Sequence, residues 1–376
     1  MEGRSPDRPR SVRRPTLQPF RVAAGLKGLD GLCLSAGVLA ALALAGCQTK
    51  PVPVKPPAPV PVVPAPAPPP LPPAPVARQG DEIIVAGHWF HIDTTVVTWM
   101  DPGGYDAYRP EPPANKPAKP HSTGKPSKTS APATTKSYGV REVPGAAGKG
   151  QPVRRGDFAT LQRVVDQFVL HYDGSGISSG CFSVLRQRGL SVHFLLDVDG
   201  TIYQTLDLEA KALHATTSND RSIGIEIANV GAHAPADAKV LAEWYQRDAQ
   251  GRTRLRMPKE VRDPLIRTKN FLGRPARDAR VRGVVQGLTL EQYDFTPEQY
   301  AALSKLTAAL CRVFPRITCD YPRDKAGQVI PQKLPDDVLA QYHGVLGHFH
   351  IQANKQDPGP AMQWDKLIDG AREAGK

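Results

Sequence analysis

GVLGHFHIQANKQDPGP, residues 344–360, begins as an apolar run and ends in a loop that carries His348, His350, Lys355 and Asp357 ahead of Pro358, Gly359 and Pro360. Each proline fixes its own φ and restricts the residue before it, so the acid is held in a stiff turn. The apolar half, GVLGHFHI, reads as a buried strand. A histidine on such a strand and an acid in the loop after it are residue types that ligate zinc. A catalytic zinc takes three protein ligands and keeps a fourth position open. The rest of the chain must then supply a third ligand and a group that moves protons.

Candidates lie upstream. His171 ends the apolar run in FVLHYDGS, and Glu226 interrupts another apolar strand, SIGIEIANV. A carboxylate buried there is costly unless a cation or a strong hydrogen-bond network receives it, which makes Glu226 a functional candidate. His171, His348 and Asp357 can supply a ligand set. None of them is a signature alone, since a single histidine at a strand end is more often a satisfied core or rim residue.

The surrounding pattern is that of an α/β domain over 156–376. DFATLQRVVDQ reads as a helix running into the strand FVLHY, and CFSVLRQRGL as a second helix. SVHFLLDVDGTIYQTL is a hairpin turning at Asp199 and Gly200. Thr296 caps a helix that Pro297 opens, PEQYAALSKLTAALCRVF, and AMQWDKLIDGAREAG closes the chain as another. Residues 235–290 read as a polar stretch, and no internal repeat is visible.

The net charge of +12 sits elsewhere: residues 156–376 carry 28 Lys and Arg against 26 acids. A nucleic-acid binder concentrates basic charge on its folded domain, so DNA and RNA are excluded as expected partners. Residues 1–46 have an arginine-rich start and the apolar run LCLSAGVLAALALAGC, shorter than the roughly 20 residues of a membrane-spanning helix. This reads as a signal peptide. Leu44, Ala45, Gly46 and Cys47 resemble a bacterial lipobox, with Cys47 as the acylated new N-terminus and membrane anchor. Gln48 then leans towards the outer membrane, facing the periplasm, in a two-membrane cell.

Residues 47–80 hold 14 prolines between Pro51 and Pro75 and form a semi-rigid tether. At about 3.1 Å per residue, it spans up to about 100 Å. Residues 81–111 read as short strands that pack on the main domain or form a satellite, with His88 and His91 as ordinary strand residues. Residues 112–155, rich in Pro, Lys, Ser and Thr, read as a disordered linker. Cys311 and Cys319 either form a local disulfide or, with Cys181, are small core residues.

Read together, VLHYDGS, SVHFLLDVDGTIYQTLD, ALHATTSNDRSIGIEIAN and GHFHIQANKQDPGPAMQW resemble, in order, the zinc-dependent N-acetylmuramoyl-L-alanine amidases that share a fold with peptidoglycan-recognition proteins. The resemblance implies a single mixed central β-sheet flanked by helices. It also implies zinc bound by His171, His348 and Asp357, Glu226 as the catalytic carboxylate, Lys355 assisting, and His193 and His214 lining or supporting the substrate cleft. There are departures from the family, among them residues 235–290, longer than its minimum and read as an inserted loop over the cleft. Leu213 stands where a Trp often precedes the histidine, and Val192 where some members have Tyr, so proton transfer falls to Glu226. The expected function is hydrolysis of the bond between the lactyl group of N-acetylmuramic acid and L-alanine in peptidoglycan or muropeptides, by a monomer engaged in wall turnover or remodelling. The rival reading is a non-catalytic peptidoglycan-binding lipoprotein, which need not keep all five site residues.

Overall fold

The computed structural model describes residues 78–109, 137–144, 150–258, 261 and 265–376. The expected signal peptide, Cys47 and nearly all of the tether lie outside the described residues. Among the described residues no helix is long and apolar enough to cross a membrane.

The chain opens with the antiparallel hairpin β1 (Glu82–Val85) and β2 (His88–His91), then β3 (Val96–Thr98) and the short strands β4 (Tyr138–Val140), β5 (Glu142–Val143) and β6 (Gln151–Pro152). Next come α1 (Phe158–Val164), β7 (Gln167–Tyr172), α2 (Ser178–Gln187), β8 (Phe194–Leu196), β9 (Ile202–Gln204), β10 (Ala210–Ala212) and β11 (Ser222–Ile227). The inserted region holds α3 (Lys239–Trp244), β12 (Tyr245–Arg247), β13 (Thr253–Leu255), β14 (Val281–Val285) and the start of β15 (Leu288–Gln292). The chain ends with α4 (Pro297–Val313), α5 (Asp336–Gln341), β16 (Gly344–Gly347) and α6 (Trp364–Ala374).

Six strands form one mixed sheet in the order β16-β7-β11-β8-β9-β3. β16, β7, β11 and β8 run parallel, β9 is antiparallel to β8, and β3 adds to β9 as a parallel edge. Alternation along each strand sorts the side chains onto two faces. Phe168, Leu170, Phe194, Leu196, Ile223, Ile225 and Ile227 pack on one face against Leu303, Leu306 and Leu310 of α4 and Leu367 and Ile368 of α6. On the other face Val169 and Leu346 meet Leu334, Leu339 and Ile351, while Leu195 and Tyr203 meet Cys181 and Leu185 of α2. His171, Gly224 and Glu226 fall on this second face, between those two clusters.

The helix α4 is capped as expected: Thr296 Oγ1 accepts from Gln299 N at 3.0 Å, and Gln299 Oε1 accepts from Thr296 N at 2.9 Å. Two expectations are corrected. The strand read through GVLGHFHI stops at Gly347, and His348–His350 form a 3₁₀ turn. The linker expected over 112–155 contains strands: β4 pairs with β10, and β5 with β6, because Arg141 between them is buried against the domain. Of the two readings open for Cys311 and Cys319, the structure has free thiols that touch each other and pack half-buried against the core.

Candidate active site

His171 and Glu226 occupy facing register positions on the neighbouring strands β7 and β11. β16 delivers His348 beside them, with the His171 and His348 rings edge to face at 4.5 Å. The following loop brings Asp357 back, so that its Oδ2 lies 2.7 Å from His171 Nδ1 and 2.9 Å from His348 Nδ1. These three ligand atoms lie within 4.8 Å of one another.

The hydrogen-bond partners of the rings fix what these atoms offer. His348 Nε2 donates to Gln352 Oε1 at 2.6 Å, so in the neutral ring Nδ1 presents a lone pair to the carboxylate. Two acceptors at that separation repel unless a proton or a cation lies between them. Behind His171, Nε2 lies 3.0 Å from His214 Nδ1, and His214 Nε2 lies 3.2 Å from Ser222 Oγ. Gly224 makes room for His214: a Cβ there would stand 2.5 Å from the ring.

Burial and the neighbouring His348 push His171 down to about 4, so the imidazole is neutral at pH 7. Burial would raise the Asp357 carboxyl, but contacts from His171 and His348 outweigh it and hold that carboxyl well below the usual range. Glu226 behaves oppositely. Burial, then the charges of Asp357 and Asp173, push it well above an ordinary glutamate, and its buried Oε2 has no hydrogen-bond partner among the described residues. Lys355, half-buried with its backbone N–H donating to Gln352 O at 3.1 Å, is near enough for its charge to lower both Glu226 and His171.

The ligand loop is clamped by the β14–β15 hairpin at the end of the inserted region. Gln286 in its turn donates from Nε2 to Phe349 O at 2.8 Å and Gln352 O at 3.0 Å. Gln292 donates to Pro358 O at 3.1 Å and accepts from Ala361 N at 3.0 Å. Gly359 has φ +86° and a Cβ there would come within 2.2 Å of Gln292 Oε1, so only glycine fits.

His193 is fully buried, accepting from Gly224 N at 3.0 Å and meeting Ala210 O at 3.0 Å. It has no surface to offer a substrate, and its geometry is that of a support, as is that of His214 behind His171. His350 is also internal, spent on Gly347 N and Ile330 O. The sequence reading missed Gln286, Gln292 and Gln352, whose partners are main-chain groups or a ligand's far nitrogen that no local pattern reveals. A second grouping, Asp81, Glu82 and His91, is internal to the first hairpin: Asp81 Oδ1 takes His91 Nδ1 at 2.6 Å, and Glu82 accepts from Gly80 N at 3.0 Å.

No curated protein matches the chain. Among solved structures, it is similar to a selenomethionine derivative of AmpD, with 16% identity, a TM-score of 0.29, and coverage of 62% of this chain and 89% of that one. It is also similar to the E. coli N-acetylmuramyl-L-alanine amidase AmiD in complex with anhydro-N-acetylmuramic acid-L-Ala-D-gamma-Glu-L-Lys, with 19% identity, a TM-score of 0.31, and coverage of 62% and 65%. A third is the amidase LysC from Clostridium intestinale URNW, with 14% identity, a TM-score of 0.28, and coverage of 56% and 88%. The family assignment rests on sequence instead. Residues 161–360, more than half of the chain and the span from α1 to the end of the Asp-Pro-Gly-Pro turn, match the family profile described as N-acetylmuramoyl-L-alanine amidase, so the chain belongs to that family of amide hydrolases.

Proposed function

We propose that the protein hydrolyses the amide between the lactyl group of N-acetylmuramic acid and L-alanine in peptidoglycan or muropeptides, with zinc as its cofactor, in wall turnover or remodelling. One observation carries the zinc reading: Nδ1 of His348 and Nδ1 of His171 converge on one carboxylate oxygen of Asp357, beside a glutamate oxygen without a partner among the described residues. Two neutral imidazoles and one carboxylate are a donor set that zinc accepts. His171, His348 and Asp357 would hold the ion, which when bound lowers the pKa of water to about 7 and polarises a carbonyl oxygen.

The chain's own residues do the rest. Glu226 Oε2, unpartnered and with a raised proton affinity, takes the proton of the attacking water and passes it to the leaving amide nitrogen. Lys355 places a positive charge beside the site, where it stabilises the oxyanion that develops on the carbonyl. His214 and Gln352 hold the far nitrogens of the two ligand histidines and so fix their tautomers. His171→Ala and His348→Ala tests this assignment by elemental analysis. Each variant is expected to lose both zinc and hydrolysis, and full zinc occupancy in either would reject the ligand set.

A further inference from the structure

Arg141 stands upstream of the family-matched residues 161–360, yet it is fully buried. Among the described residues no carboxylate pairs with its guanidinium; it is spent on carbonyl oxygens. Nε donates to Leu208 O at 3.1 Å, Nη1 to Asn219 O at 3.2 Å and Asp220 O at 2.9 Å, and Nη2 to Ser222 O at 2.9 Å while lying 2.9 Å from His193 Nε2. A buried cation without a paired anion is costly, and one that only braced a surface segment would gain little from it.

The carbonyls it gathers belong to the segment that carries His214. Asn219, held through its carbonyl, uses its side-chain Oδ1 to accept from His214 N at 3.1 Å and Ala215 N at 2.7 Å. Ser222, also held through its carbonyl, meets His214 Nε2 with its hydroxyl at 3.2 Å. The backbone and the ring of His214 are therefore both fixed by residues that Arg141 clamps. His214 Nδ1 in turn meets His171 Nε2.

We infer that Arg141 is a positioning residue for the metal site: by clamping Asn219 and Ser222 it fixes His214, and His214 holds His171 so that Nδ1 faces the ion. The inference rests on the zinc reading above and extends the working unit beyond residues 161–360.

The test is zinc affinity, measured by titration of the zinc-stripped full chain against a chromophoric chelator, with circular dichroism to confirm folding. Arg141→Met, which keeps length and loses the donors, is expected to weaken zinc by about 10- to 100-fold, the usual cost of removing a group behind a ligand. Arg141→Lys keeps the charge and up to three donors, and weakens it less. His214→Phe keeps the ring shape over Gly224 and breaks the link, so Arg141→Met added to His214→Phe is expected to cost nothing further. A folded Arg141→Met that binds within about twofold of the parent, or effects that multiply in the double variant, would overturn the inference. If Arg141→Met does not fold, Arg141→Lys decides by the same limits, and failure of both to fold also overturns it, because Arg141 then serves the whole fold. A parent that takes up no zinc rejects the zinc reading itself, whereas unchanged variants of a zinc-binding parent reject only the role of Arg141.

Discussion

Glu226 is the residue on which the chemistry turns. Its strand neighbours Ile223, Ile225 and Ile227 are buried in the core, while alternation places Glu226 on the opposite face, level with His171. Gln has the same shape and keeps one acceptor, but cannot take and return a proton. Glu226→Gln is therefore expected to retain fold and zinc while hydrolysis falls by about 10²- to 10⁴-fold. Initial rates on muropeptides check this, and a rate within a few-fold of the parent would remove Glu226 from the mechanism. The sequence disclosed this residue because a carboxylate within IGIEIA stands out. It hid Arg141, which sits in a segment that reads as a disordered linker and whose carbonyl partners lie 67 to 81 positions away.

Among the elements, the β14–β15 hairpin and the turn after β8 make separate predictions. Gln292 satisfies Pro358 O and Ala361 N inside the protein. Gln292→Ala leaves both unpaired and is expected to cost about 2 kcal/mol or more in urea unfolding of the zinc-free chain, and to weaken zinc as the Asp357 turn loosens. A loss under about 0.5 kcal/mol would contradict the clamp. Asp197, fully buried at the end of β8, has one oxygen without a partner. Burial raises its carboxyl from 3.8 to about 7 in the folded state, so the folded chain keeps a proton that the unfolded chain releases. Stability from this group is then highest below about 4 and falls as pH rises to about 7. Asp197→Asn should flatten that decline in denaturation midpoints, and an unchanged slope would exclude Asp197 as its source. The strands of the central sheet and α4 are legible because alternation and capping are local, whereas β4–β6 and β12–β15 lie in polar segments with little of that alternation. Nor is the end of β16 legible: apolar residues continue through Phe349, yet the backbone turns at Gly347, where Pro358 packs so closely that a Cβ would stand 2.7 Å from it.

At the scale of the whole molecule, the segment from Glu82 to Thr98 contributes an edge strand and a hairpin, and residues 138–143 contribute the buried Arg141, so the folded structure begins well before the span that the family profile matches. The leader and tether remain a proposal from sequence: if Cys47 carries the lipid, Cys47→Ala should move the protein from the membrane fraction to the soluble one, and continued membrane association would reject the lipobox. The central claim, that this is a zinc amidase cutting between the lactyl group and L-alanine, meets its most direct test in mass spectrometry of purified peptidoglycan digested by the zinc-loaded and chelator-stripped protein. The account predicts released peptides with a free L-alanine amino terminus from the loaded protein, and none after stripping until zinc is restored. Products cut at any other bond, or the same peptides released at an undiminished rate after zinc removal, would contradict it.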